Sequence, residues 1–170
     1  MAHKNRYDAT GIAFDIGKRA EDIFVILAKK RDYIVRKSTQ EEEFQHIDYV
    51  MTKNNQKISV DVKGKKKISR SDIFADDDLV WVEWKNVNGK NGWLHGKADL
   101  IAFEQEDHFL IGSRNQLAIL CSKLVDFNRR VDKPYEALNA IYQRAGRKDN
   151  VSLVRVKDIE SGIRTIRWKK

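Results

Sequence analysis

The pattern of apolar and polar positions predicts a chain in which helices and short strands are interspersed. Residues 15–30 carry apolar side chains at helical spacing, with Asp15 as the expected N-cap. Residues 33–36 fit a short strand, and the acidic stretch 37–43 fits a loop. Two segments that alternate apolar and polar residues follow and predict a β-hairpin.

The second half of the chain continues in the same way. Ser113 and Gln116 form a capping-box pattern that predicts a helix, and Pro134 opens a further predicted helix that ends near Gly146. Strands are predicted at residues 79–85, 98–103, 109–111, 151–156 and 163–168. The length of 170 residues suits one domain, so we expect a single α/β domain over residues 1–170.

The hairpin is the most informative segment, because its turn predicts its register. If Asn54-Asn55 is a two-residue type I′ turn, paired positions sum to 109, which places Asp48 opposite Asp61 and His46 opposite Lys63. The other face is then apolar throughout. It pairs Ile47 with Val62, Tyr49 with Val60 and Met51 with Ile58.

Two carboxylates opposite each other repel unless a cation lies between them. Cβ atoms in such a pair are about 4.5–5.5 Å apart. Mg²⁺ takes oxygen ligands and often one or two protein carboxylates, so Asp48 and Asp61 are candidate metal ligands. Lys63 on the same face could hold or deprotonate an attacking water, or stabilise charge on a phosphate. The alternative is that the two aspartates are polar residues of a solvent face, neutralised by nearby lysines.

The charge of the chain favours a polyanionic partner. The net charge is +8, and residues 144–170 hold nine Lys or Arg against three acidic residues. A second basic cluster begins at Lys63. The expected contacts to nucleic-acid phosphates are Lys65, Lys66, Lys67, Arg70, Arg144, Arg147 and Lys148. Each run also fits a solvated loop or surface.

Aromatic and polar residues near an Asn-Gly turn have two interpretations. Trp81, Trp84 and Trp93 could stack on splayed bases, but tryptophans in strands more often pack in the core. Glu83 could be an extra metal ligand, although an outward polar residue is the simpler interpretation. The hairpin register also places His46 beside Lys63, so His46 is a further candidate for the site.

Other features bear on the compartment. Cys121 is the single cysteine, so an internal disulfide and a Cys-rich zinc site are excluded. Cys121 is expected to pack in the core. No apolar run approaches the length of a membrane span, and the polar start MAHKNRYD lacks the apolar core of a signal peptide. We therefore expect a soluble cytoplasmic protein with no membrane partner.

The order of these residues resembles the PD-(D/E)XK nuclease superfamily. Gly17-Lys18-Arg19-Ala20-Glu21 on a helix is followed by a strand at 33–36, then Asp48, then Asp61-Val62-Lys63. Within the superfamily, the arrangement is most similar to archaeal-type Holliday-junction resolvases and related phage nucleases. The resemblance covers residues 11–67. Two departures are His46-Ile47 where the family often has proline, and Asp61 where many members have glutamate.

The resemblance implies a fold, a site and a partner. The fold would be a restriction-endonuclease-like core, with a mixed central β-sheet flanked by helices. Asp48, Asp61 and Lys63 would be the motif residues, and Glu21 would contribute to the metal site through water. The implied activity is Mg²⁺-dependent cleavage of branched or structured DNA by a homodimer, as in recombination or repair, with Mn²⁺ able to substitute. The alternatives are a nucleic-acid-binding protein without turnover and an RNA-directed nuclease on the same scaffold.

Overall fold

The computed structural model describes residues 11–170, and the start MAHKNRYD lies outside them. In the described range the helices are α1 (Ile12–Lys29), α2 (Gln40–Phe44), α3 (Arg114–Leu124) and α4 (Val156–Gly162). The strands are β1 (Ile34–Lys37), β2 (Tyr49–Lys53), β3 (Gln56–Lys63), β4 (Leu79–Lys85), β5 (Leu100–Glu104), β6 (His108–Ser113), β7 (Asp126–Val131), β8 (Ala140–Tyr142), β9 (Asn150–Arg155) and β10 (Thr165–Lys169). Single 3₁₀ turns lie at Trp93–His95 and Pro134–Glu136.

The strands form two mixed sheets where the sequence predicted one central sheet. The larger sheet has the order β1-β2-β3-β5-β6-β10, and the smaller has the order β4-β9-β8-β7. Strand β3 runs parallel to β5, and β7 runs parallel to β8. The α/β class with mixed sheets and flanking helices is therefore confirmed, and the chain leaves the larger sheet after β3 to start the smaller one.

The β2–β3 hairpin has the register predicted from its turn. Asn54 and Asn55 have φ values of 51° and 62°, the left-handed conformation that a type I′ turn needs and that asparagine tolerates. The strands pair Tyr49 with Val60 and Met51 with Ile58, as expected. The turn thus fixes which side chains of β3 face each side of the sheet.

The larger sheet has a hydrophobic core on each face. Helix α1 covers one face, where Phe24 stacks on Trp168 and meets Phe109 edge to face. The other face packs against the smaller sheet, α3 and α4 through a second cluster that includes Ile101, Phe103 and Leu117. Because β3 is central, alternate residues of this strand point into different cores.

Several local predictions are wrong, each for an identifiable reason. Helix α1 begins after Gly11, with φ of 71°, and Asp15 lies in its first turn instead of capping it. Residues 37–43 contain α2, opened by a capping box between Thr39 and Glu42. The helix predicted from Pro134 is only a 3₁₀ turn, and Ile141 and Tyr142 belong to strand β8.

The core assignments made from the sequence are confirmed at three positions. Trp84 and Trp93 are 5% and 6% exposed, and Cys121 is fully buried. Ser113 caps α3, accepting a hydrogen bond from the Gln116 amide. Within the described residues, none of the helices has the length and apolar character that a bilayer crossing requires.

We predict that Asn55→Val lowers the free energy of unfolding by about 1–2 kcal/mol, because a β-branched residue is strained at a φ of 62°. Urea unfolding followed by circular dichroism measures the change. Gln56→Val is the matched control, since Gln56 is exposed in extended strand backbone one position later. A loss of equal size in both variants would contradict a role for the turn.

Candidate active site

Strand β3 positions two of the candidate residues on one face. Asp61 and Lys63 are two residues apart and pair with Ile101 and Phe103 of β5. They therefore lie on the side of the second core, and Asp61 is only 2% exposed. The Lys63 Nζ atom is 2.6 Å from Asp61 Oδ1. A buried carboxylate is thus covered by the ammonium group that ends the same strand.

Asp48 lies where the β2–β3 ladder stops. Its Oδ2 atom accepts a 2.7 Å hydrogen bond from the Val62 amide, in place of a backbone acceptor on the neighbouring strand. Its own amide donates to the Val60 carbonyl at 2.9 Å, and its carbonyl accepts from the Ser38 amide. These bonds fix the carboxylate beside β3.

Three pairings predicted from the register do not form as strand pairs: Ile47 with Val62, Asp48 with Asp61 and His46 with Lys63. The ladder ends at Tyr49 and Val60, and Ile47 packs with Val50 and Ala98 on the opposite side of the sheet. The Asp48 side chain takes the Val62 amide that the ladder would have used. Asp48 still raises the pKa of Asp61, so the two carboxyls remain close enough for their charges to interact.

The electrostatics of Asp61 are those of a buried carboxyl that lies close to a second one. Burial raises the pKa of Asp61 to about 8, Lys63 lowers it, and Asp48 raises it further. Its Oδ2 atom is buried and has no hydrogen-bond partner. A divalent ion would compensate both the buried charge and the repulsion by Asp48, so this atom and the donor type fit Mg²⁺.

Lys63 keeps its charge at this position. Burial lowers the pKa of Lys63, but the carboxylates of Asp61 and Asp48 outweigh that effect and raise it above the ordinary value. The ammonium also lies 5.1 Å from the centroid of the Trp93 ring, where cation–π attraction favours the charged form. The geometry therefore suits Lys63 as a charge stabiliser better than as a general base.

The structure does not bring Glu21 into the carboxylate pair. Its Oε2 atom accepts hydrogen bonds from Tyr49 Oη at 3.1 Å and from Lys37 Nζ at 3.2 Å, on the α1 side of the sheet. Among residues 11–170, no three His, Cys, Asp or Glu side chains converge as a metal site. The candidate protein ligands that lie together are therefore Asp48 and Asp61.

The predicted phosphate contacts after β3 include one side chain in an ion pair and three exposed ones. Lys65 forms a 2.8 Å ion pair with Asp77. Lys66, Lys67 and Arg70 are exposed after β3.

The predicted contacts from the second basic region lie on the loop that follows β8. Arg144 forms an ion pair with the buried Asp149. The positive charge of Arg144 contributes to lowering the pKa of Lys66. Arg147 and Lys148 belong to the same loop, where the Arg147 amide donates to the Arg144 carbonyl. Arg144 is thus close enough to Lys66 for their charges to interact.

Two residues given little weight in the sequence lie close to the site. The negative charge of Glu83 acts to raise the pKa of Lys63 and of Lys66. His46 has a φ of 60°, and its ring interacts with the charges of Lys63, Glu83 and Asp48. Burial lowers the pKa of His46, and Lys63 lowers it further, which favours the neutral ring.

The alternation of buried and partly exposed residues along β4 is the sequence signal that could have placed Glu83 on the face away from the core. Val80, Val82 and Trp84 are buried on one face of this strand, which leaves Trp81 and Glu83 on the other. Its place beside Lys63 depends on how the second sheet packs, which strand alternation does not specify.

Comparison with protein-family models, with curated proteins and with solved structures gives no match.

We predict that Asp61→Asn stabilises the protein increasingly, relative to wild type, as the pH rises towards about 8. The unfolded chain releases the Asp61 proton near the ordinary pKa, whereas the folded chain keeps it up to about pH 8. The wild-type free energy of unfolding therefore decreases as the pH rises from the ordinary pKa of an aspartate to about 8. Asp61→Asn has no carboxyl to titrate, so its free energy of unfolding should not show this decrease. Urea unfolding at a series of pH values measures the difference.

Mg²⁺ gives a second readout of the same carboxylate. At the alkaline end of this window it should stabilise the wild type and leave Asp61→Asn unchanged, because only the charged carboxylate binds the ion. A stability difference between the two proteins that is independent of pH and of Mg²⁺ would contradict the assigned electrostatics.

Proposed function

We propose that this protein is a Mg²⁺-dependent endodeoxyribonuclease that hydrolyses phosphodiester bonds in branched or structured DNA. The observation that carries the proposal is the Asp48, Asp61 and Lys63 group. Two interacting carboxylates, one with a buried unpartnered oxygen, lie next to a lysine that keeps its charge. These are the components that metal-assisted hydrolysis requires.

Asp48 and Asp61 would hold the metal ion. The Asp48 Oδ2 atom is engaged by the Val62 amide, which orients this carboxylate and leaves Oδ1 for the ion. Asp61 would contribute its unpartnered Oδ2. Two carboxylates with waters and a substrate phosphate make up a common Mg²⁺ set. The ion supplies a polarised phosphate and a water of lowered pKa.

Lys63 would stabilise the negative charge that develops on the phosphate. Asp61 Oδ1 holds its ammonium at 2.6 Å and the Trp93 ring supports it from the other side. During hydrolysis, the water oxygen bonds to phosphorus while one ester P–O bond breaks, and the departing oxygen receives a proton. A fixed positive charge in a partly dry cleft lowers the energy of this step more than an exposed one.

The order of elements supports a restriction-endonuclease-like core. A helix is followed by three antiparallel strands, β1 to β3, and the two aspartates lie before β2 and near the end of β3. This is the arrangement expected from the motif resemblance. The homodimer belongs to the proposal on the same ground.

The positive charge of the segment that follows β3 supports DNA as the partner. Lys66, Lys67 and Arg70 are exposed on the segment that leaves the site, where a DNA backbone passing Lys63 would meet them. Such contacts position a backbone without reading its sequence, which suits recognition of DNA shape.

One observation favours a second candidate, a nucleic-acid-binding protein without turnover. The Asp61–Lys63 ion pair and the Asp48–Val62 hydrogen bond can each serve to hold the hairpin together. That candidate predicts salt-sensitive DNA binding that does not change with Mg²⁺.

We predict that Asp61→Asn and Lys63→Ala each reduce Mg²⁺-dependent cleavage by about 10²–10⁴-fold. The first substitution removes a metal ligand, and the second removes the positive charge that stabilises the phosphate. Asp48→Asn should do the same while keeping an oxygen for the Val62 amide. Labelled four-way junction, flap, single-stranded and duplex DNA, with a matched RNA, are incubated with Mg²⁺ or EDTA and resolved by electrophoresis.

Lys57→Ala is the matched control, since Lys57 is an exposed lysine on the same strand. It should cleave at the wild-type rate. Cleavage that survives in Asp61→Asn would overturn the site. Cleavage of RNA in preference to every DNA would transfer the activity to the RNA-directed alternative.

A further inference from the structure

Trp81 differs from the other tryptophans of the chain in its exposure. The sequence has four tryptophans, and Trp84, Trp93 and Trp168 are 5–8% exposed. Trp81 is only partly buried, because it lies on the face of β4 opposite to Val80 and Val82. A large aromatic side chain left partly in water offers an apolar surface that a ligand can cover.

Trp81 is paired with a second aromatic residue from another strand of the same sheet. The ring centroids of Trp81 and Tyr142 are 5.9 Å apart, and their planes are inclined by 38°. Strand β9 lies between the two parent strands, so the pair spans this face of the sheet. Tyr142 is also only partly buried. We call these two side chains the aromatic shelf.

The aromatic shelf adjoins the candidate active site through Trp81, while Tyr142 lies outside the cleft lining. Trp81 lines the same open cleft as Lys63, Lys66 and Trp93. The Trp81 Nε1 atom donates a 3.1 Å hydrogen bond to the Lys67 carbonyl, which fixes the ring relative to the segment that leaves β3. A ligand group resting on Trp81 would therefore lie next to a phosphate at Lys63.

Charged residues border the aromatic shelf: the cleft lining holds Lys63, Lys65 and Lys66, together with Asp76 and with Glu104, which pairs with Lys170. Lys66 lines the cleft. Its surroundings lower the pKa of its ammonium group, first through burial and then through the charges of Lys63 and Arg144. Arg144 lies two residues after Tyr142, on the loop that leaves β8. Aromatic faces bordered by positive charge match the alternation of bases and phosphates along a single strand.

We propose that the aromatic shelf of Trp81 and Tyr142 stacks an unpaired base next to the phosphate that is cut. Lys66 and Arg144 then neutralise the adjoining phosphates. The inference rests on the proposed nuclease function and narrows its substrate to DNA with unpaired nucleotides, such as a flap or splayed arms. A base inside a duplex has both faces covered by its neighbours, so a fully paired junction gains nothing from the shelf.

The test uses DNA binding by Asp61→Asn protein, which retains the shelf but lacks the charged ligand. The probes are a duplex with a single-stranded arm that carries 2-aminopurine and a fully paired duplex of equal length. On the armed probe, stacking on the shelf should quench the 2-aminopurine fluorescence. Adding Trp81→Ala should abolish the quenching and weaken binding about 5- to 150-fold, the range reported for loss of one aromatic–base stack.

Three further variants make the result specific. Trp81→Phe should restore most of the affinity, and Tyr142→Leu, which keeps apolar bulk on the sheet, should weaken binding to the armed probe. Tyr135→Ala removes a 64% exposed tyrosine outside the cleft lining and should change nothing. None of the variants should alter binding to the paired duplex.

The outcomes separate this inference from the proposed function. Quenching that depends on Trp81 in a protein whose wild type cleaves no substrate would keep the shelf and overturn the nuclease. Cleavage with no quenching, or with affinity unchanged in Trp81→Ala, would overturn the shelf alone. Equal weakening on armed and paired probes would also overturn it, since stacking requires an uncovered base.

Discussion

The burial of one carboxylate is the constraint on which the site depends. Asp61 lies on a central strand between two hydrophobic cores, where a charged group loses its hydration. Lys63 partly compensates this cost, and the neighbouring Asp48 increases it. A protein seldom retains such an arrangement in its core for stability alone. Our proposal is that a cation bound by both carboxylates offsets this cost.

The rest of the fold keeps this arrangement in register. The Asn54-Asn55 turn sets which residues of β3 face the second core, and a shift by one residue would exchange Asp61 with Val62. The parallel pairing with β5 then packs Asp61 and Lys63 beside Ile101 and Phe103. The smaller sheet closes the cleft with Trp81 and brings Glu83 towards Lys63. Backbone geometry and packing thus produce the unusual pKa of Asp61.

The sequence predicts best where one local signal determines the outcome. The paired asparagines predict the hairpin register, because few residues adopt two successive positive φ angles. The end of the ladder could not be predicted, since the Asp48 side chain replaces a backbone acceptor there.

Strand β7 was missed because its residues are exposed on both faces and show no alternation. Residues 134–146 matched a helical spacing, but pairing of β8 with β7 and β9 outweighs that local pattern. The position of Glu21 depends on its bonds to Tyr49 and Lys37, which connect three elements.

A Mn²⁺-soaked crystal measured at a wavelength that gives anomalous signal from manganese tests the central claim most directly. We expect an anomalous peak within coordination distance of Asp48 Oδ1 and Asp61 Oδ2, and we expect Asp61→Asn to lose it. Absence of any peak between the two carboxylates, or a peak that persists in Asp61→Asn, would contradict the claim that this pair is a metal site.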